Sequence, residues 1–287
     1  MADYEDYAYV AKFYDQTRIP VGYEIELGCL ATSSVKLSNQ RVLDLACGTG
    51  NYSHVLAKQV GQLVALDRSE GMLEVARQKT CALPITFVSG EMTELPFEDE
   101  SFDGVLINQA LHHLPHENTD QLYPSLEKVL REVARVLKKN GIFVVNTCSH
   151  RQLRDGYWWA DLVPDAVEQM IIRYPPTKTI ITKAELVGLH YLERYVPFEG
   201  LLQGPDSLDP QYVLEECYRR GDSTWSLVPG NELIQVVRKV EQMVRDQSFG
   251  DYLDQREKKR SLSGQVTLIH FVKKASFPDT SNESKHH

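Results

Sequence analysis

Residues 41–50 read Arg-Val-Leu-Asp-Leu-Ala-Cys-Gly-Thr-Gly. An apolar run carrying one acid, Asp44, breaks into small residues at Ala46, Gly48 and Gly50, and a helix-like segment follows. Such a run suits a buried strand of a parallel sheet. The small residues after it let backbone come close to a bound ligand. The stretch therefore predicts a nucleotide-type cofactor site at the end of a strand.

The rest of the chain alternates around it. Strand-like runs lie at Leu63–Leu66, Ile85–Val88, Phe102–Ile107 and Ile142–Val145. Asn51 to Val60 reads as a helix, and Ser69 opens another with Glu70 in its favourable first turn. Leu126, Leu130, Val133 and Leu137 recur at helical spacing, widened by Val129 and Val136. Lys138 and Lys139 are expected in the last turn of that helix, with Asn140-Gly141 as its stop. This βαβ rhythm implies a parallel sheet with helices on both faces.

Beyond His150 the rhythm changes. Residues 151–180 are rich in aromatics and contain Pro175-Pro176. Thr182 is expected to cap a helix through Leu189, and Glu193–Phe198 to form a sixth strand. Residues 199–262 read as polar and helical, with Val236, Val237, Val240 and Val244 as an apolar stripe. Gln265–Val272 suits a final strand, and residues 276–287 a disordered tail.

Composition narrows the function. The formal charge of −9 argues against a broad electrostatic grip on nucleic acid. The five cysteines are scattered without Cys-x-x-Cys spacing, so neither a disulfide framework nor a structural zinc site is expected. No apolar run approaches the roughly 18 residues that span a bilayer. The acidic start, Met1 to Asp6, does not resemble a secretory signal, and a cytoplasmic location is expected.

Gly48-Thr-Gly-Asn-Tyr-Ser53 resembles the dinucleotide fingerprint without its third glycine. Asp67, nineteen positions after Gly48, stands where a carboxylate accepts ribose hydroxyls. Asp44, however, would repel a pyrophosphate and suits a positively charged ligand group such as the amino group of a methionine moiety. Residues 90–105, from Gly90-Glu-Met onward, follow the third strand and lead into the fourth.

With Asn108-Gln-Ala-Leu-His-His-Leu114, these segments stand in the order and spacing of class I S-adenosylmethionine-dependent methyltransferases. The chain resembles that family, in its small-molecule, type 11-like branch, most densely over Arg41–Val145. One departure is Ala46, where the family usually has glycine.

The resemblance implies an α/β fold: a Rossmann-like doubly wound, mostly parallel seven-stranded sheet with an inserted, mainly helical cap. It implies a division into an N-terminal helical segment closing over the cofactor (1–40), an S-adenosylmethionine-binding core (41–150), an aromatic insertion with a late helix and strand (151–198), a helical cap (199–262), a final strand (263–275) and the tail. Asp44, Ala46, Gly48 and Gly50 would line the methionine and ribose side of the cofactor. Asp67 would hold the ribose diol, with Arg68 and Met72 against the adenine. Glu91 would take the adenine amino group and the Met92 backbone the ring edge. Asn108 would lie near the transferred methyl. Tyr14 and Arg18 would close over the cofactor, Arg18 pairing with the methionine carboxylate.

Each of these residues also has a plain structural reading. Asp44 could be satisfied by loop amides, Asp67 could cap the following helix, Glu91 could be an exposed loop acid, and Arg18 could form a structural salt bridge. Cys47 reads as a filler of the turn rather than a nucleophile. His112, His113 and His150 are the candidate proton acceptors, against structural packing. Tyr157, Trp158, Trp159, Tyr174 and Trp225 are candidates for an aromatic substrate pocket, against packing of the cap. These histidines lack a third ligand at a readable spacing, so no metal is expected.

The function expected is S-adenosylmethionine-dependent methyl transfer to the O, N or C atom of a small organic acceptor, by in-line displacement, in a monomer or homodimer without nucleic-acid or membrane partners. A catalytically idle protein of the same fold is the alternative. A nicotinamide oxidoreductase would share the glycines and Asp67, but Asp44 and the Gly90 segment argue against it. The segment after the fourth strand lacks the Asn/Asp-Pro-Pro-Tyr/Phe motif of nucleic-acid amino-methyltransferases, and the cysteines do not form the set an arsenic methyltransferase needs.

Overall fold

Val42, Leu43 and Leu45 are completely buried in a short strand, Arg41–Leu45, with parallel neighbours on both edges. In the computed structural model, which describes residue 15 and residues 17–115 and 123–274, this strand (β1) lies within a seven-stranded sheet. The elements before and around it are α1 (Tyr23–Leu30), α2 (Asn51–Leu56), β2 (Gln62–Asp67), α3 (Glu70–Lys79), β3 (Ile85–Ser89) and β4 (Phe102–Asn108). Then come α4 (Pro124–Val136), β5 (Leu137–Thr147), α5 (His150–Asp155), α6 (Pro164–Arg173), α7 (Thr177–Leu186) and β6 (Leu189–Tyr195). The chain continues through α8 (Gln211–Leu214), α9 (Glu216–Arg220), α10 (Gly230–Arg245) and α11 (Phe249–Ser263) to β7 (Thr267–Lys273).

The strand order is β3-β2-β1-β4-β5-β7-β6, with β7 antiparallel to both its neighbours. The order reverses between β1 and β4, where an open α/β sheet leaves a crevice at its carboxyl end. Side chains alternate between two apolar cores. Val42, Leu106, Val144 and Leu268 pack with α1 and the cap, whereas Leu43, Leu45, Val105, Phe143 and Val145 pack with α4. The two-residue period therefore puts Asp44 and Asn108 on the α1 side of the sheet, beside Val42 and Leu106.

Several boundaries differ from the sequence expectation. Helix α4 stops at Val136, and Lys138, Lys139 and Asn140 belong to an irregular start of β5. Asn140 adopts a left-handed φ of 62°, and the register slips between Phe102 and Gly104. The pairing of Leu137 with Phe102 ends the helix early. Helix α7 begins directly after Pro175-Pro176, so Thr182 is inside it rather than at its cap. Strand β6 starts at Leu189, immediately after left-handed Gly188, and stops before Val196-Pro197. On α10 only Val236 and Val240 of the expected stripe are buried, and Val244 is 44% exposed.

Two groups of helices cover the α1 side near the carboxyl end of β4 and β5. Helices α5 and α6 follow β5 directly, and α8 to α11 fill the long connection from β6 to β7. Arg256 of α11 fastens the two groups, donating to Asp161 and to the carbonyls of Arg154 and Tyr157.

Candidate functional site

The loop after β1 is shaped by backbone torsion. Ala46, Gly48 and Gly50 all have left-handed φ, at 62°, 55° and 75°. A methyl group on Gly48 would meet no other atom within 4 Å, so that face of the loop is open. On Gly50 it would press on the Cβ of Ala76 at 3.1 Å, because α2 and α3 pack closely there. Ala46 has no such freedom. A Cβ in this conformation costs about 1–2 kcal/mol, which is the physical reason a glycine suits this position.

Asp67, at the end of β2, ties this loop to the next. Its carboxylate accepts from the Gly48 amide at 2.9 Å and from the Ser69 amide at 2.8 Å. It does not cap α3; the Ser69 hydroxyl does that, accepting from the Met72 amide. Burial raises the Asp67 carboxyl above its usual range, against the pull of those amides. Each carboxylate oxygen has a second lone pair left for a ligand.

Asp44 is fully buried one turn of chain earlier. The Ser53 hydroxyl donates to its Oδ2 at 2.5 Å, and Oδ1 has no hydrogen-bond partner among the described residues. Desolvation pushes its carboxyl up to about 6, against the hydroxyl of Ser53 and the amide of Asn108. Cys47, between the two acids, is held as the thiol by burial and by the negative charges of Asp44 and Asp67. A thiol in that state is a poor nucleophile, and Cys47 fills the turn.

These residues line one cavity of about 430 Å³ that runs across the ends of the strands. Glu91, Met92 and Gly90 line it after β3, Asp67, Arg68 and Met72 beside β2, and Ala46, Gly48 and Asp44 at β1. Asn108, Gln109 and His113 line it after β4. Arg18, Ile19 and Leu202 also line it. Tyr14 lies outside the described residues.

Arg18 lines the larger cavity with its guanidinium engaged by the chain itself. Its guanidinium donates to Asp222 at 3.0 Å and to the Thr17 carbonyl at 2.8 Å. Asp222 also accepts from the Gln203 side chain and the Thr224 amide. The Arg18–Asp222 pair is the structural salt bridge that the sequence left open, and it ties the segment before α1 to the cap. Farther along, Asp15 accepts from Lys79 at 2.8 Å and from the Thr49 hydroxyl at 2.5 Å, while Lys79 also reaches Asn51. Sequence reasoning missed Lys79 and Asp222, which stand in no local motif, and Gln109, which stands beside Asn108 in a motif but was given no role.

A second, smaller chamber of about 50 Å³ shares Arg18, Met72, Gln109, His113 and Leu202 with the first. Its other walls include His112, Tyr157, Trp159, Met170 and Tyr174. His112 stacks on Tyr174 with ring centroids 4.3 Å apart and planes 8° from parallel. Burial and neighbouring cations drive both histidines toward the neutral form: His113 falls to about 3, and His112 well below its ordinary value. His113 feels Arg68, Arg173 and Arg18, and His112 feels His113 first.

The remaining aromatic and histidine candidates are elsewhere. His150 begins α5 and meets the Tyr174 carbonyl at 2.8 Å, outside both cavities. Trp158 points into the cap, donating to the Ser207 carbonyl at 2.5 Å and packing edge-on to Phe249 and Tyr252. Trp225 lies behind Trp159, centroids 5.3 Å apart, and lines neither cavity. None of the three lines either cavity.

Residues 43–145 match a family described as a methyltransferase domain, of type 11. That stretch is a methyltransferase domain. Demethylmenaquinone methyltransferase of Clavibacter sepedonicus is 36% identical over 172 residues, 57% of this chain and 65% of the relative. The enzyme of that name from Staphylococcus aureus (strain JH9) is 41% identical over 108 residues, 36% of this chain and 41% of the relative. The chain thus spans between 41% and 65% of the length of these curated relatives. Among solved structures, a protein of Anabaena variabilis ATCC 29413, assigned as a methyltransferase from an antibiotic biosynthesis pathway, superposes with a TM-score of 0.70 at 20% identity, covering 89% of this chain and 99% of its own. Phosphoethanolamine N-methyltransferase 2 of Haemonchus contortus, in complex with S-adenosyl-L-methionine, superposes with a TM-score of 0.52 at 18% identity, over 90% of this chain and 54% of its own. Both share the fold of the methyltransferase domain. No helix among the described residues is long and apolar enough to cross a membrane.

Proposed function

We propose that the protein binds S-adenosylmethionine across the ends of β1 to β4 and transfers its methyl group to a small, uncharged, largely apolar acceptor. The observation that carries this reading is the junction of the two cavities at Gln109 and His113, at the β4 end of the larger one. A cofactor laid from Glu91 and Asp67 toward Asp44 and Asn108 would present its reactive end at that junction. The open face of Gly48 and the unpartnered Oδ1 of Asp44 fit such a ligand. In this reading Asp67 holds the ribose hydroxyls, Glu91 and Met92 the adenine edge, and Arg68 and Met72 its face. Arg18 is a wall of the site, held in place by Asp222.

The cofactor supplies a methyl group on a sulfonium whose departure as a neutral thioether needs no acid. The chain's own residues then have two tasks. They align the acceptor with the methyl and exclude water, which the aromatic walls Tyr157, Trp159 and Tyr174 favour. Where the acceptor carries a proton, a neutral imidazole of His112 or His113 can receive it. The Arg18–Asp222 pair compensates its own charge, so the chamber favours an uncharged acceptor over a phosphate or an ammonium. The activity that names the demethylmenaquinone relatives supports methyl transfer as the chemistry.

Titration calorimetry with S-adenosylmethionine and S-adenosylhomocysteine tests the reading. Binding of both is expected; folded protein that binds neither would overturn it. Incubation of the protein with S-adenosylmethionine and a panel of hydroxylated and amino-substituted ring compounds, followed by mass spectrometry, then distinguishes an enzyme from an idle fold.

A further inference from the structure

Glu26 is the one carboxyl on α1 that is completely buried, and neither of its oxygens has a hydrogen-bond partner among the described residues. The sequence offered no reason to single it out. An unpartnered buried carboxylate is costly, and several kcal/mol is a typical order for removing one from water. The group therefore either holds a proton or awaits a partner.

Its surroundings point to both. The α1 side of the sheet carries Asp44 and Asn108, and those two residues line the larger cavity. Asp44 Oδ1, Asn108 Oδ1 and Asn108 Nδ2 are also buried without a partner at hydrogen-bonding geometry. Three unpartnered polar atoms thus belong to residues that line the cavity, and the two Glu26 oxygens are buried on the same side of the sheet without lining it. Two carboxyls so placed repel each other when both are ionised, and one of them retains a proton. Burial and the charge of Asp44 both raise the Glu26 carboxyl, while the Asn108 amide opposes them.

The other groups around Glu26 do not replace that proton. On its own helix Cys29 is a buried thiol, pushed up to about 12 by burial and by Glu26 itself. From α2 comes Tyr52, whose hydroxyl donates to the Val21 carbonyl and receives the Asn146 amide of β5. Strand β7 places His270 on the same sheet face, where burial lowers its basicity. Asp67 and Cys47 act on or feel Asp44 from the loop side.

We propose that Glu26 is a positioning residue that holds a proton in the ligand-free protein and releases it to solvent when a ligand bearing an ammonium group binds against Asp44 and Asn108. The ammonium then donates to the unpartnered Oδ1 of Asp44, and its charge offsets the second carboxylate. Glu26 acts through Asp44 and need not touch the ligand. The inference rests on the cofactor reading above, since the methionine end of S-adenosylmethionine carries such a group.

The test is calorimetric titration of the native protein with S-adenosylmethionine at pH 7 and pH 8, in phosphate and in Tris, whose ionisation enthalpies differ. Proton release is expected at both pH values. Release that fades by pH 8 would trace to Asp44 alone and overturn the proposal, as would equal binding enthalpies in the two buffers. Glu26→Gln should bind with most of the release lost, and Glu26→Asp should restore it. A folded Glu26→Gln protein that releases as much as the native one would also overturn it. Failure of the native protein to bind at all would overturn this proposal together with the proposed function, whereas binding without proton exchange would overturn this one alone.

Discussion

Arg18 and Asp222 are separated by 204 residues in the chain and by 3.0 Å in space. Their side chains are only 12% and 8% exposed, so the pair is out of water at the junction of the two cavities. Removing one partner leaves a buried charge uncompensated. Asp222→Ala is expected to destabilise the fold by about 3–5 kcal/mol in urea denaturation. The double variant Arg18→Met with Asp222→Leu should recover much of that loss, because no lone charge remains. Equal instability of the single and double variants would show that the pair's charges are not what matters.

Ala46 gives a prediction of the opposite sign. Ala46→Gly should relieve about 1–2 kcal/mol of left-handed strain, offset by about 0.4–1 kcal/mol of added freedom in the unfolded chain. A net gain between zero and about 1.6 kcal/mol is expected in thermal or chemical unfolding. Ala46→Val, with a branched Cβ at the same φ, should lose stability and fold poorly.

Asp67 and Glu91 separate two kinds of contribution to cofactor binding. Asp67 both holds the Gly48 loop and, in the proposed function, the ribose. Asp67→Ala should weaken S-adenosylmethionine binding about 10- to 100-fold, the range of a charge-assisted hydrogen bond worth about 1.5–3 kcal/mol. Glu91 is exposed, so Glu91→Ala should cost only a few-fold, about 1 kcal/mol or less. Unchanged affinity in both variants, read by calorimetry, would discard this map of the adenosine end.

The histidine pair sets an acid limb of stability. Burial and neighbouring cations hold His113 down to about 3 against an ordinary 6.5, and burial holds His112 well below its ordinary value. Both folded values are depressed, so the folded state prefers the neutral rings. That contribution is whole above pH 6.5 and is lost as pH falls from 6.5 toward 3. His113→Gln should flatten this limb in urea melts taken between pH 7 and pH 4. Asp44 acts in the other direction: its raised carboxyl stabilises below 3.8, and that contribution is gone once pH has risen through about 6.

The sheet was legible because its signals are short-range. Val42–Leu45, Leu63–Leu66 and Phe102–Ile107 are apolar runs bounded by polar or small residues, and each became a strand. The loop of Gly48 and Gly50 was legible for the same reason, its torsions being fixed by residues a few positions apart. Boundaries that depend on pairing were not. Lys138 and Lys139 continue a helical pattern but are taken into β5 by the pairing of Leu137 with Phe102. The pattern of the aromatic segment could not sort which of its members face a cavity. Tyr157 and Trp159 face the small chamber, while Trp158, between them, faces Phe249 and Tyr252.

Sequence alone thus determined the class of fold and the strand ends at which a ligand would bind, since periodicity and a run of small residues are local properties of a chain. Tertiary structure alone decided what surrounds that place. It brought Asp222 to Arg18 and Lys79 to Asp15, and it buried Glu26 on the same side of the sheet as Asp44. Burial, unlike periodicity, is a property of everything packed around a residue. No pattern within α1 marks Glu26 as different from Glu24, and only the sheet beneath it takes one of them out of water.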